Sequence, residues 1–294
     1  MRGMTLPLDH LVLPVADLDV ALARLSALGF TVAPNGIHPF GTANCCVYVK
    51  GGTFLEPLAI GDRSVADAAA RDGNVFVARD RAFRDRQGDE GFSALVFGTA
   101  NAGAEDSRFR AGDISAGKML EFSRPFVDAQ GKADTASFRL AFAAEATSPD
   151  AFFFACERVN APKVDRSALE RHANGVSSLT GVLAVAGAPL EHRDFLLRLT
   201  GAEATGDAAS GFAIEAGNGT VLVVDAATAE SRYGIAASAG NGLQLAGVIF
   251  GVADLVAAEK LFKANAISYE RRDRKILVPP AAGQGATFVF EATT

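Results

Sequence analysis

Tryptophan is absent from this 294-residue chain, and tyrosine and cysteine occur three times each. Aromatic packing therefore falls to 21 phenylalanines, rings without a polar handle that needs a partner when buried. Cys45, Cys46 and Cys156 cannot all pair, and the adjacent Cys45 and Cys46 are poor disulfide partners, so free thiols in a reducing cytoplasm are expected. A basic excess is missing as well: 28 Lys and Arg stand against 34 Asp and Glu, for a net charge of −6. That balance disfavours nucleic-acid binding, which needs a basic face to displace counterions from phosphates. The arginines of 79–86 are interrupted by Asp80 and Asp85 and read as a solvated helix face. No apolar run approaches the roughly 20 residues that span a bilayer, and the first residues lack the apolar stretch of a secretion signal. A membrane partner is not expected. Neither a GxSxG elbow, a Walker loop, an HExxH pair nor a GxGxxG fingerprint occurs, so no nucleotide cofactor is expected.

What the chain has is one pattern four times over. The first copy runs LDHLVLPVADLDVALARLSALGFTVAP over 8–34, then a loop, then NCCVYVKGGTFLEPLAI to residue 60. Leu11 and Leu13 open a strand, Asp17 is a suitable N-cap, and Val20, Leu22, Leu25 and Leu28 recur at helical spacing up to Gly29. Short strand-like runs complete a βαβββ unit. A second, weaker copy starts at ALVFGTANAGAEDSRF with Asn101 in place of Asp17, a third at LTGVLAVAGAPLEH, and a fourth at GVIFGVADLVAAEK with Asp254 as its cap. Such units pair, because one alone cannot bury its apolar face. An α+β fold of four βαβββ modules, paired into two cup-shaped domains, is expected: 1–160 carrying the site and 175–294 a degenerate counterpart. The link between them breaks the strand pattern with mixed charge, and the insertion 61–90 reads as helical turns forming one wall of the first cup.

The stretches DHLVLPVADLDVA, HPFGTAN, TFLEPLAI, SRPF and RHANGV give the chain a resemblance to the vicinal oxygen chelate superfamily, and within it to glyoxalase-like domain proteins, over nearly its whole length. The resemblance implies metal ligands on the first and last strands of each module: His10 and Glu56 from the first, and Glu157 from the second. Ala94 stands where the second module's other ligand is expected. The later modules place Gly181, Val223 and Gly247 at ligand positions, leaving only Glu291 near one. An imidazole and two carboxylates suit Zn²⁺, Mn²⁺, Fe²⁺ or Ni²⁺, any of which can act as a Lewis acid on a vicinally oxygenated substrate, with Glu56 or Glu157 as the catalytic carboxylate.

Plainer readings stand beside these. A single strand histidine is more often structural than ligating, and paired ionic networks also explain buried carboxylates. Glu56 lies within the apolar run 53–60, so burial demands a partner for it. Glu157 follows FFFAC, with Arg158 or Arg139 as its plain partner, and alternation turns Cys156 to the opposite face, away from the cup. His38 and Asn44, in a Pro- and Gly-rich connection, are candidates for the pocket rim. Arg124 and Arg139 are candidates for receiving a substrate carboxylate or phosphate through bidentate bonds, or for pairing with nearby glutamates. His172 reads as a linker histidine and His192 as a surface residue in a helix.

Taken together, the residues and the resemblance imply a metal-assisted lyase or isomerase acting on a small oxygenated substrate. The alternative is a metal-independent binding or resistance protein of the bleomycin-resistance type, which Ala94 favours. An extradiol-type dioxygenase ranks third, because such a site draws on two histidines where the retained positions offer one. Substrate, metal and oligomeric state are left open by the sequence.

Overall fold

The computed structural model describes residues 5–127, 133–161, 165–236 and 242–293. Module one comprises β1 (Leu8–Pro14), α1 (Leu18–Ala27), β2 (Gly36–Ile37), β3 (Thr42–Asn44), β4 (Val47–Tyr48) and β5 (Phe54–Ile60), followed by α2 (Arg63–Arg71) and α3 (Val75–Gln87). Module two comprises β6 (Ala94–Gly98), α4 (Ala102–Ala111), β7 (Leu120–Val127), β8 (Ala133–Ala143) and β9 (Phe152–Asn160). Module three comprises β10 (Val176–Val185), a 3₁₀ turn over Pro189–His192, α5 (Arg193–Thr200), β11 (Ala204–Ala208), β12 (Gly211–Glu215) and β13 (Thr220–Val224), followed by α6 (Ala226–Tyr233). Module four comprises β14 (Gln244–Val252), α7 (Leu255–Ala264), β15 (Glu270–Arg272), β16 (Lys275–Val278) and β17 (Thr287–Ala292).

The first two modules share one curled sheet in the order β2-β3-β5-β1-β6-β9-β8-β7, with β4 also on β5, and the last two share another, β11-β12-β13-β10-β14-β17-β16-β15. In each sheet the modules meet along their antiparallel first strands, β1 with β6 and β10 with β14. The helix starts follow local chemistry. Asp17, Asn101 and Asp254 each accept backbone N–H bonds from the first turn they cap, while the module-three turn begins at Ala188 without a side-chain cap. On α1 the buried residues are Ala21 and Leu25, and Val20 and Leu22 are exposed, so the apolar stripe is rotated from the expected one. Gly29 does follow the helix in the left-handed region, at φ +84°.

The outer faces of both sheets and the module helices build a single apolar core. It includes Leu11, Leu95 and Phe153 from the first half and Val182, Phe250 and Phe288 from the second. Phe30, just past α1, packs against Phe250 with ring centroids 5.1 Å apart. His192 is buried at this junction, with Nδ1 2.5 Å from Glu145 Oε2, because α5 starts later than the helical pattern suggested and the preceding turn faces inward.

The insertion after module one folds as α2 and α3 and turns Ala66, Phe76 and Val77 into the first cup. Arg84 fastens α3 there through bonds to Leu58 O (2.8 Å), Val15 O (3.1 Å) and the buried Asp80 (2.9 Å). The segment expected to be a solvated face is thus partly interior, because its aspartate and arginine satisfy each other. The second cup is closed differently. Leu183, Ile249 and Val289 fill it from the strands, and Ala229, Tyr233 and Ile235 cover them.

Candidate functional site

Register identifies equivalent positions in the modules. Leu11 lies opposite Leu95 where β1 meets β6, and the caps Asp17 and Asn101 each fall six residues further along, so a local two-fold axis through that pair carries His10 onto Ala94 and Val12 onto Val96. Glu56 is the parallel neighbour of Val12, and Phe154 is the parallel neighbour of Val96. The position equivalent to Glu56 in module two is therefore Phe154, and Glu157 is not at it. The same offset from Ala188 and Asp254 selects Gly181 with Leu222 and Gly247 with Val289. Val223 and Glu291 drop out, the latter pairing with Lys275 at 3.4 Å. Of the eight positions, only His10 and Glu56 carry donor atoms.

The first cup holds a cavity of about 660 Å³, counting its open mouth, lined by His10, His38, Asn44 and Glu56, with Arg124, Arg158 and Arg166 and a wall of phenylalanines. Five residues singled out from the sequence meet here: His10, His38, Asn44, Glu56 and Arg124. Two do not. Side chains at 154, 156 and 158 line the cavity, so Glu157 lies on the other face, where its Oε2 accepts the Ala102 N–H at 2.9 Å at the start of α4. Cys156 lines the cup, reversing the expected parity. Arg139 likewise stands between lining residues Phe138 and Leu140 and pairs with Glu121 at 3.2 Å.

At the cavity floor Glu56 is buried, its Oε1 accepts a hydrogen bond from Asn44 Nδ2 at 2.5 Å, and its Oε2 lies 3.2 Å from His10 Nε2. Burial alone would raise its pKa, but the bond and charge of His10, with His38 and Asn44 adding to them, hold it at about 2. His10 stacks on Phe54, 4.4 Å between centroids. Its pKa is raised: burial pulls it down, and the carboxylates of Asp9 and Glu56 outweigh that pull. The two shifts run in opposite directions, each group favouring the charged form of the other.

Asp9 was not foreseen as a site residue. It is the extra residue of a β-bulge between Leu8 and His10, a distortion that re-aims a side chain, and it brings its Oδ1 to 3.7 Å from His10 Nδ1 and into an ion pair with Arg158. Burial works against ionisation of Asp9, but His10 and then Arg158 lower its pKa below the usual value.

His38 differs in charge. Burial, reinforced by the positive charges of Arg124 and His10, takes its pKa down to about 4 against the pull of Glu56. Its Nδ1 lies 2.8 Å from Thr42 Oγ1 and its Nε2 3.5 Å from Asn44 Nδ2. Because an amide nitrogen can only donate, the network assigns the proton to Nδ1 and an acceptor role to Nε2. A neutral imidazole with this tautomer can accept a proton. Burial raises the thiol pKa of Cys46 and Cys156, so neither is an activated nucleophile at neutral pH.

The donor set does not fit a chelated metal. His10 and His38 address different oxygens of Glu56, at 3.2 and 3.7 Å, and the second module supplies alanine and phenylalanine at its ligand positions. Catalytic sites for first-row metals draw on three protein ligands converging at about 2 Å. Among the described residues no group of three or more His, Cys, Asp or Glu side chains is arranged to hold an ion.

His172 joins the link to the first cup: its Nδ1 accepts the Thr31 N–H at 3.0 Å and its Nε2 lies 2.9 Å from Tyr48 O. Arg166, from the same link, lies over the Tyr48 ring at 4.6 Å from its centroid. Alternation from Phe154 would have found Cys156 and Arg158. Nothing local in the sequence marks Asp9 or Arg166.

A glyoxalase-like domain profile matches residues 8–200. No curated protein matches the sequence. Among solved structures, a hypothetical protein from Staphylococcus aureus is similar at 12% identity and a TM-score of 0.67, covering 98% of this chain and 100% of that one. A mutant of 4-hydroxymandelate synthase from Streptomyces coelicolor is similar at 14% identity and a TM-score of 0.61, over 99% of this chain and 93% of that one. A xylose isomerase-like TIM barrel/4-hydroxyphenylpyruvate dioxygenase fusion protein is similar at 12% identity and a TM-score of 0.54, covering 99% of this chain but 49% of its own. At these identities the likeness is one of fold.

Proposed function

We infer, for a chain that belongs to the glyoxalase-like domain family, that its N-terminal cup is a small-molecule site that holds its ligand without a chelated metal. One observation carries this reading: Ala94 and Phe154 occupy the second module's two ligand positions, while His10 and Glu56 are engaged with each other. The phenylalanine lining supplies an apolar bed, and the buried charges beneath it form a closed pair that fixes the floor. All three cysteines are free thiols, which suits a reducing cytoplasm.

A second reading, the metal-assisted lyase or isomerase implied by the resemblance, is favoured by His38, whose Nε2 lies 3.7 Å from Glu56 and offers a third donor after rearrangement. The two readings separate on a neutral aromatic probe, 2-naphthamide, titrated calorimetrically into the full chain before and after EDTA treatment. The first predicts binding unchanged by EDTA and weakened by Phe122→Ala, which removes part of the aromatic wall that lines the cavity. Binding lost with EDTA and restored by Zn²⁺ or Mn²⁺ would support the second instead.

A further inference from the structure

Three guanidiniums, those of Arg124, Arg158 and Arg166, line the first cup, whose lining carries one carboxylate, Glu56, with Asp9 beneath it. The carboxylates are committed. Glu56 and Asp9 flank His10, and Asp9 also takes Arg158. Arg124 and Arg166 have no carboxylate within ion-pair distance among the described residues, although both line the cavity.

Both guanidiniums are nonetheless held in place by rings. Arg166 lies over Tyr48, and Arg124 lies 6.0 Å from the centroid of Phe138. The backbone leaves a seat for Arg124: a Cβ on Gly36 would fall 2.0 Å from its Nη1 and 2.5 Å from Asn44 Oδ1. Stacking occupies the face of a guanidinium and leaves its N–H edge free for a planar oxyanion. The two arginines line the same cavity as Tyr48. Burial raises the pKa of the Tyr48 hydroxyl, with Cys46 adding to the rise, while Arg166 and Arg124 both act in the opposite sense on that oxygen.

We propose that the cup takes a small organic acid, with its carboxylate held between Arg124 and Arg166 beside Tyr48 and its apolar body on the phenylalanine wall. The proposal rests on the small-molecule reading above and adds the charge of the ligand. Arg166 comes from the link between the two halves, so the link becomes part of the binding site, which the matched strands alone would not predict.

The test compares 2-naphthoate with 2-naphthamide, which share a ring system and differ in charge, by calorimetry on the full chain. The wild type is expected to bind the acid at least about 10-fold more tightly than the amide, and Arg124→Gln or Arg166→Gln should bring the acid down to the amide's affinity while leaving the amide unaffected. Arg124→Lys and Arg166→Lys, which keep the charge but lose the planar fork, should fall between. Unchanged melting curves would confirm that the variants fold. Equal binding of acid and amide by the wild type overturns the charge assignment and leaves the small-molecule reading standing. Binding of neither overturns both.

Discussion

Acidification offers a quantitative test of the site's electrostatics, through His38→Gln. In the fold His38 has a pKa of about 4, against 6.5 for an ordinary histidine. Between those values the unfolded chain binds a proton that the folded chain refuses, so stability rises with pH and the contribution is lost as pH falls from 6.5 towards 4. The gap spans about 2.5 pH units, at about 1.4 kcal/mol each, which amounts to about 3 kcal/mol. The other site groups are flat in most of this window. Glu56 begins to matter only below its ordinary value of 4.5, and His10, whose pKa is raised, is protonated in both states below 6.5. His172 has a lowered pKa and leaves a residual slope of the same sign. Thermal melts of wild type and His38→Gln from pH 7.5 to 4.5 isolate the term, because groups that do not interact with His38 cancel in the difference and Glu56, which does, titrates below this window. At about 2–4 °C per kcal/mol for a chain of this size, the wild type should lose about 5 °C or more relative to the variant. Parallel curves for the two proteins would refute a buried, neutral His38.

Glu56→Gln keeps the volume but leaves His10 with Asp9 as its one carboxylate neighbour, so it should destabilise the protein by about 2–3 kcal/mol at pH 7, just under the range for breaking a buried pair. A variant that melts at or above the wild-type temperature would contradict the assigned charge pair. Gly36→Ala places a methyl against both the end of Arg124 and the buried Asn44 Oδ1, so it should lower the melting temperature and weaken 2-naphthoate binding several-fold, with a smaller effect on 2-naphthamide; calorimetry reads both, and a loss of amide binding equal to that of the acid would contradict the seat assigned to Arg124.

Much of the architecture is legible in sequence because it is locally determined. The caps Asp17, Asn101 and Asp254 and the glycine after α1 are chosen by hydrogen bonds and backbone angles within a few residues, and they fix where each module's helix begins. His10, Glu56, His38 and Asn44 meet because they belong to one module. Across modules, legibility fails. The parity of β9 depends on its pairing with β6, and a shift of one residue exchanged Glu157 for Cys156 and Arg158. Asp9 reaches its partners through a bulge, which its neighbours in sequence do not announce. Arg166 enters through the path of the link over Tyr48, a long-range contact.

The central claim is that this cup works with His10 and Glu56 as a charge pair instead of as two ligands of a metal centre. Elemental analysis of protein purified without a metal-affinity tag, after equilibration with micromolar Zn²⁺, Mn²⁺, Fe²⁺ and Ni²⁺ and dialysis, tests it most directly. The account predicts a metal content well below one ion per chain, the same in wild type and Glu56→Gln. One equivalent of a single metal in the wild type, lost in both His10→Ala and Glu56→Gln, would contradict it.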